Sequence, residues 1–433
     1  MRNVQNLTTA LFRPYFDLSD AAPGVPYHVK GVEFGTKAVL EDRPYPRIQS
    51  ALNPSFRGLL CAASSQPAYD TENPLDIDPS IRSPRWGAMC EMVRHFADLP
   101  IRQQVRLSWL LGKLCFQQFL LTLIAPLDAI TVASSPDAAS LGYLRALARY
   151  RLWLDGEPAY QDYTIDEFRV IAENAPPGIA KIDAHYHMAA QSVKHANAAD
   201  AVEFWQIRHM NAIEATKPEL DDVTANIVMS RYYRVAGFLP QMRRDKAGVV
   251  RDMQLAEDFA MAVPRTDAIS AAAADEILYP VLESRTKEAL WMGDIDSADE
   301  RTVRLLALSP CDPRAWLHRA QVLMAREDLE GALGAYRNSA RYAPPGGEVA
   351  LFMAGQCLEA LDEPQLACDS YLAALSIDPL GISAVERIVA LAPSLGSDPI
   401  EKWSRQRLAE LERLRLSAAP KKAEPYKSLP APV

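Results

Sequence analysis

Histidines at helical spacing are the first residues of this sequence that could do chemistry. Four of its seven histidines fall within 25 residues: His185, His187, His195 and His209. On a helix, Asp183, His187 and Gln191 would share one face with His195. Two histidines four residues apart are a common zinc arrangement, but a glutamine holds that position here, so the ligand set is incomplete. Two interpretations stay open: hydrogen-bonded polar groups lining a helical groove, or a functional polar pocket.

Basic residues nearby could form an anion site. Arg231 and Arg234 lie three residues apart, and Lys194 and Arg208 could join them if helical hairpins stack in register. Arginine forks bind a carboxylate or phosphate with paired hydrogen bonds. The alternative is salt bridging to nearby acids, namely Asp221, Asp222 or Glu203. The predicted polar cluster therefore consists of Asp183, His185, His187, Lys194, His195, Arg208, His209, Arg231 and Arg234.

Residues 182–187 read Ile-Asp-Ala-His-Tyr-His. This segment resembles the first-strand metal motif of the amidohydrolase family, in which two histidines at alternate strand positions face one metal. The resemblance implies alternating strands and helices downstream. The chain instead continues with helical periodicity, and its other histidines lack the family's spacing at strand ends. We therefore interpret this segment as helical and expect no metal. An enzyme at 183–234, including a metal-dependent one, is kept as the alternative function.

The elements that must position these residues are clearest toward the C-terminus, where the sequence repeats. An alanine, a residue four positions on and a proline eight positions further recur at offsets of 34 and 35 residues: Ala298, Thr302 and Pro310; Ala332, Tyr336 and Pro344; Ala367, Tyr371 and Pro379. The alanine permits close helix crossing, the aromatic fills the gap one turn later, and the proline stops the helix. The preceding helices agree at the same offset: Trp316, Ala320 and Leu323 correspond to Leu351, Gly355 and Leu358.

This pattern resembles the tetratricopeptide repeat family, well at 313–345 and 348–380, and loosely at 279–311. The resemblance covers about a quarter of the chain and implies helical hairpins whose first helices line a concave, peptide-binding face. The implied groove positions are Arg314, Leu317, Gln321, Met324, Val349, Phe352, Gln356 and Glu359. Leu317 and Gln321 stand where some family members carry a lysine and an asparagine that clamp a C-terminal carboxylate. The sequence therefore argues against binding of that kind.

The predicted fold class is all-α, a helical-hairpin solenoid with an irregular N-terminal arm. The expected organisation is an arm or cap at 1–80, an apolar helical segment at 81–136, degenerate hairpins at 137–265, repeats with a capping helix at 266–416, and a disordered tail at 417–433. Short strands are predicted at 32–39 and 48–52. The hairpins are expected to form one continuous solenoid from 137 to 416.

Composition argues against several classes of function. A net charge of −9 and a pI near 5.4 disfavour a nucleic-acid partner, which would need a basic face. The most apolar stretch, 107–125, contains Lys113, Gln117 and Gln118, so we predict a buried helix rather than a membrane span. The six cysteines form no C-x-x-C pair and the N-terminus has no signal-peptide pattern. We expect a cytoplasmic protein with no cofactor and no membrane partner.

The sequence thus favours a protein- or peptide-binding scaffold. Such a scaffold could be a non-catalytic subunit of a larger hetero-complex, including a peptide-modifying one. In the enzyme alternative, the repeats would recruit substrate to the polar cluster. A third class, a transcription regulator with tetratricopeptide sensing, would need a helix-turn-helix that the sequence does not show.

Overall fold

A computed structural model describes residues 73–76, 84–113, 116–125, 133–154, 158–160, 163, 165–193, 199–266, 268–308, 312–342 and 346–417. Every regular element within these residues is a helix, and successive helices pack together, which confirms the all-α fold class. The described chain forms two compact units, residues 73–288 and 289–417. The predicted strands, nearly all of the arm, and the tail beyond Ser417 lie outside the described residues, as do Lys194, His195, Pro310 and Pro344.

The first unit is built from helices of uneven length. In chain order they are α1 (Pro84–Arg94), α2 (Ile101–Lys113), α3 (Gln117–Ile124), α4 (Pro136–Leu154), α5 (Asp166–Asn174), α6 (Ile179–Gln191), α7 (Ala199–Thr216), α8 (Asp222–Ala236), α9 (Phe238–Met242), α10 (Lys246–Met261) and α11 (Ala268–Met292), the last of which continues into the second unit. Helix α6 packs against α4, α5, α7 and α8. Side chains on α6 are therefore placed among four neighbouring helices.

Local sequence sets the ends of the helices around α6. A Pro-Pro-Gly turn separates α5 from α6, and Gly178 in that turn has a φ of 152°, which favours glycine. The amide of Gly178 donates to the Thr216 hydroxyl at 3.0 Å, which joins the start of α6 to the end of α7. Asp221 caps α8 by accepting from the Thr224 amide at 2.7 Å. These contacts fix the helices that carry the predicted polar cluster.

The apolar stretch 107–125 is not the single helix that the sequence predicted. It is divided between α2 and α3. The Gln117 side-chain amide and the Arg151 guanidinium donate to the Gly112 carbonyl at 3.0 and 2.8 Å. Two polar side chains thus satisfy a carbonyl near the end of α2, so the chain can turn there without leaving it unbonded. Among the described helices, none combines the length and apolarity that crossing a bilayer requires.

The second unit consists of helices of regular length. They are α12 (Ile295–Leu308), α13 (Pro313–Ala325), α14 (Leu329–Tyr342), α15 (Gly347–Ala360), α16 (Pro364–Ile377), α17 (Ile382–Leu395) and α18 (Asp398–Ser417). Each packs against the next helix in the chain. Proline stands at the first position of α13 and of α16, where its missing amide hydrogen is not needed.

The repeat landmarks occupy the core of this unit. Ala332 and Ala367 are completely buried, as are the Tyr336 and Tyr371 rings to within 1% of their surface. A Cβ atom added to Gly355 would stand 2.5 Å from Cε1 of Tyr371, far inside van der Waals contact. The ring therefore lies directly against the backbone of α15. This is the close crossing that the glycine at this repeat position predicts.

The last helix, α18, closes the array. It packs on α17 through a face that includes the buried residues Ser404 and Leu411. Its other faces are largely charged, although Trp403 is 42% exposed among them. A helix that buries one face and presents charge on the others suits the end of a solenoid.

Candidate functional site

Residues 182–187 lie in α6, so the two histidines of the segment point to different neighbours. The Nδ1 atom of His185 lies 2.8 Å from the Lys181 carbonyl oxygen. A carbonyl can only accept, so this nitrogen carries the ring proton. The Nε2 atom of His187 lies 3.2 Å from the Tyr143 hydroxyl, and its ring stacks on Phe168 at 4.4 Å. The strand geometry of an amidohydrolase motif is therefore absent. Within the described residues, no three His, Cys, Asp or Glu side chains are grouped to hold a metal.

A buried ion pair joins α6 to α8. The Nη1 atom of Arg231 lies 2.6 Å from a carboxylate oxygen of Asp183, whose side chain is 5% exposed. The Arg231 guanidinium also lies 4.3 Å above the Tyr186 ring. An arginine held by a carboxylate and an aromatic face is fixed in position.

Two of the three acids predicted to neutralise these arginines have other partners. Asp221 caps α8, and Glu203 pairs with the exposed Arg243 at 2.7 Å. The actual partner of Arg231 is Asp183, a member of the polar cluster itself. The salt-bridge interpretation therefore holds for Arg231, with a different acid from those predicted. The predicted acids were chosen for their proximity in sequence, whereas Asp183 lies 48 residues from Arg231.

Arg234 approaches the same tyrosine from another direction. Its Nη2 atom donates to the Tyr186 hydroxyl at 2.7 Å. Its Nε atom is buried and has no hydrogen-bond partner in the described chain. Arg231 and Arg234 thus converge on Tyr186, as a shared anion site would require, while Arg208 turns away and lies 4.3 Å over the Phe204 ring of its own helix.

His209 completes the group from α7. It is 1% exposed, and its ring contacts the Tyr186 and Tyr232 rings at centroid distances of 6.1 and 5.3 Å. Its Nδ1 atom is buried and makes no hydrogen bond to any described residue. Burial holds the pKa of His209 well below its ordinary value, and the nearby Arg231 and His185 lower it further. The ring is therefore neutral at neutral pH.

Tyrosines are the site residues that the sequence analysis did not select. Tyr186 connects both arginines and His209, and Tyr143 binds His187 from α4. Burial raises the pKa of Tyr143 well above its ordinary value, and the charge of Asp183 adds to this effect. Tyr186 lies between His185 and His187 in the sequence, and this position could have indicated it as a site residue. Tyr143 lies 44 residues from His187 and gave none.

The predicted groove positions in the second unit divide into packed and polar residues. Leu317, Met324 and Phe352 pack on the hairpin core, with the Phe352 ring 5.4 Å from Tyr371. Arg314 turns back to Asp312, the capping residue of its own helix, at 3.0 Å. These side chains help to hold the fold.

The two glutamines behave differently. Gln321 is exposed, and its Oε1 atom lies 3.2 Å from Nδ1 of His318. Gln356 stands 35 positions later, at the equivalent place in the next repeat, and is half-buried. It makes no hydrogen bond to any residue that the structure describes. An amide at equivalent positions of adjacent first helices forms a row, here called the amide row (Gln321 and Gln356).

Glu359 is not a free acid at this face. The Nε atom of Arg387 on α17 donates to it at 2.8 Å, and the Tyr371 hydroxyl donates to the same carboxylate. Burial alone would raise the pKa of Glu359, but these hydrogen bonds outweigh burial and hold that pKa below its ordinary value. Because its charge is matched by Arg387, Glu359 adds no net charge to this face.

No protein-family model and no curated protein matches this chain. Among solved structures, the crystal structure of MamA aligns at 16% identity over 42% of this chain and 96% of that chain, with a TM-score of 0.34. A signal transduction ATPase with numerous domains from Pyrococcus horikoshii, which has a tetratricopeptide repeat sensor, aligns at 12% identity over 76% of this chain and 49% of its own, with a TM-score of 0.36. The Cut9–Hcn1 hetero-tetramer of the APC/C aligns at 9% identity, covering 82% and 89% of the two chains, with a TM-score of 0.27.

Similarity at this level carries no argument about function. The class of the second unit rests on its own residues: the buried alanines, the buried tyrosines and the close crossing at Gly355. On those grounds the second unit is a stack of tetratricopeptide-like helical hairpins.

Proposed function

We propose that this protein is a protein-binding scaffold in which the first helices α13 and α15 hold an extended segment of a partner chain. The observation that carries the proposal is the amide row. Its two side chains repeat at the interval of the hairpins and lie outside the hairpin core, and Gln356 has no described hydrogen-bond partner. The described fold therefore does not account for the Gln356 amide.

An amide side chain suits an extended peptide because it both donates and accepts, as each peptide group of a backbone does. Val349, which is 49% exposed, stands on α15 two turns before Gln356 and offers apolar surface to a partner side chain. The charge of Glu359 is already matched by Arg387. The expected partner segment is therefore extended and largely uncharged, with at least one apolar side chain.

Site-specific photocrosslinking in the native host tests this proposal. A benzophenone amino acid at position 356 should capture one partner, which mass spectrometry identifies. The same group at Gln365, which is exposed at the start of α16, should not capture it. Equal capture at both positions, or none at position 356, would contradict the proposal.

The purified partner then allows a quantitative comparison. Gln356→Ala should weaken binding about fivefold, the effect of one lost hydrogen bond of about 1 kcal/mol, and Gln365→Ala should leave it unchanged. Phe352 is a poorer probe, since its ring packs on Tyr371 and its loss would disturb the fold. Copurification of further proteins with the partner would support a role as a non-catalytic subunit of a larger assembly.

A further inference from the structure

Arg234 carries a guanidinium that the described fold does not pair with an anion. Its one hydrogen bond to a described residue goes to the Tyr186 hydroxyl at 2.7 Å, and its Nε atom is buried with no partner among the described residues. The nearby carboxylate, Asp183, is bound to Arg231. No carboxylate of the described chain lies within ion-pair distance of Arg234. A partly buried cation in this condition costs stability unless something outside the chain completes it.

Arg285, in the same unit, is an example of a buried arginine with a structural role. Arg285 is 5% exposed, and its guanidinium binds Glu257 at 3.1 Å and Glu288 at 2.7 Å. Its remaining Nη2 atom donates to Gln254 at 2.9 Å. A buried structural arginine is thus surrounded by acceptors. Arg234 differs, because among the described residues its guanidinium has the Tyr186 hydroxyl as an acceptor but no carboxylate.

A second unsatisfied nitrogen belongs to the same group. The Nδ1 atom of His209 is buried with no partner in the described part of the chain, and the His209 ring contacts the ring of the tyrosine that Arg234 binds. Two unsatisfied nitrogens on side chains that meet at one tyrosine indicate a common missing partner, because buried polar atoms are nearly always hydrogen-bonded. Arg231 and Arg234 together carry two positive charges against the single negative charge of Asp183. The missing partner is therefore an anion.

We propose that Arg234, His209 and Tyr186 form a binding site for the carboxylate or phosphate group of a small ligand. The Nε–H of Arg234 donates to one oxygen of that group. His209, with its ring proton on Nδ1, donates to the same group, and Arg231 adds long-range attraction while Asp183 holds it in place. This function is separate from partner binding at the amide row and does not depend on it.

Thermal unfolding of the full chain provides the test. The probes are inorganic phosphate and acetate, each titrated at constant ionic strength with chloride as the baseline. At least one probe should raise the unfolding midpoint in a saturable manner, and the one that does so identifies the group as a phosphate or a carboxylate. A response to both probes that is no larger than the response to chloride would overturn the proposal.

Variants separate a binding role from a structural one. Arg234→Gln should abolish the saturable rise, and without any probe its own midpoint should equal or exceed that of the wild type by about 2 °C, because an unpaired charge is removed. Arg243→Gln, which alters an exposed arginine of the same unit paired with Glu203, should keep the full response. Arg234→Lys retains the charge but lacks the Nε–H, and should weaken binding at least tenfold. A lower midpoint for Arg234→Gln, or retention of the response in it, would show that the site does not exist.

Discussion

In the first unit, core tyrosine hydroxyls are bonded to side chains on helices distant in sequence. The second unit fills its core mainly with alanines, aliphatic side chains and tyrosine rings that pack on backbone, although the Tyr371 hydroxyl also donates to Glu359, 12 residues away. Gln191 donates to the Tyr150 hydroxyl, and Arg234 to that of Tyr186, across 41 and 48 residues. In the second unit, Tyr371 lies against Gly355 of the neighbouring helix. The core of the first unit depends on hydrogen bonds between particular side chains, and the core of the second depends mainly on close packing of side chains against backbone.

The difference has a consequence for function. Polar cores contain groups that must each find a partner, so a group left unsatisfied stands out and suggests a ligand. Among the described residues of the second unit, no buried side-chain polar atom lacks a hydrogen bond, so its candidate binding groups are side chains outside the core. The two proposed sites follow this division, since Arg234 is a partly buried cation with no described ion-pair partner and Gln356 is a half-buried amide with no described hydrogen bond.

Breaking the buried ion pair should have the largest effect. Asp183→Ala leaves Arg231 without its carboxylate and should lower the free energy of unfolding by about 3 kcal/mol, at the lower end for a buried pair because the Arg231 side chain is 26% exposed. Urea denaturation measures the change. The double variant Asp183→Ala with Arg231→Met should recover part of it. A surface control in the second unit is Glu401→Ala, which removes an exposed i,i+4 pair with Arg405 and should cost under about 0.5 kcal/mol.

Adding a methyl group where α15 and α16 cross closely should have the next largest effect on stability. Gly355→Ala places a methyl group against the Tyr371 ring and should cost about 2 kcal/mol, because the buried ring must move. Gly334 is the matched control, since an added Cβ there meets nothing within 4 Å and the residue also lies inside a helix. Gly334→Ala should stabilise the protein by up to about 1 kcal/mol through helix propensity. Equal effects of the two changes in urea denaturation would refute the close-packing interpretation.

Lowering the pH should destabilise the first unit more than the second, by less than the two substitutions above. Burial lowers the pKa of His185 and His209 in the folded first unit, so below about 6.5 the unfolded chain binds protons that the folded chain does not. Each histidine should then remove up to about 1.4 kcal/mol per pH unit, until the pH reaches its folded pKa. In the second unit, Glu359 has a lowered pKa, so its contribution is lost only as the pH falls below about 4.5.

Hydrogen exchange followed by mass spectrometry can measure this separation, with rates corrected for intrinsic pH dependence. Between pH 7.5 and 5.5, protection should fall in α6 and α7 and stay constant in α14 and α15. His209→Leu should reduce the loss in the first unit by the share of that residue. A uniform loss across both units would contradict the assignment of the pH response to the buried histidines.

Sequence periodicity predicted most of the helices but only part of the candidate sites. The repeat landmarks follow directly from the sequence, because they depend on neighbours three or four residues apart. Of the basic residues expected to converge, Arg231 and Arg234 do so on Tyr186, Arg208 lies over Phe204, and Lys194 lies outside the described residues. The true partner of Arg231 was not anticipated, since it lies on a helix distant in sequence.

Side-chain partners account for the other differences. Glu359 was predicted to face the groove, but Arg387 binds it from the following hairpin, at an offset of 28 residues that no repeat rule specifies. The Gly112 carbonyl near the end of α2 is bonded to Arg151, which lies 39 residues away. Tertiary hydrogen bonds of this kind have no local sequence pattern, whereas helix periodicity does.

The contact between Glu359, Tyr371 and Arg387 also bears on how the end of the array comes apart. Terminal hairpins of repeat proteins have a neighbour on one side only and tend to fray first. Here one carboxylate on α15 is bonded to both α16 and α17. Unfolding of α17 alone would remove Arg387 from the Glu359 carboxylate. We therefore expect α15, α16 and α17 to unfold together, rather than α17 to unfold before the other two.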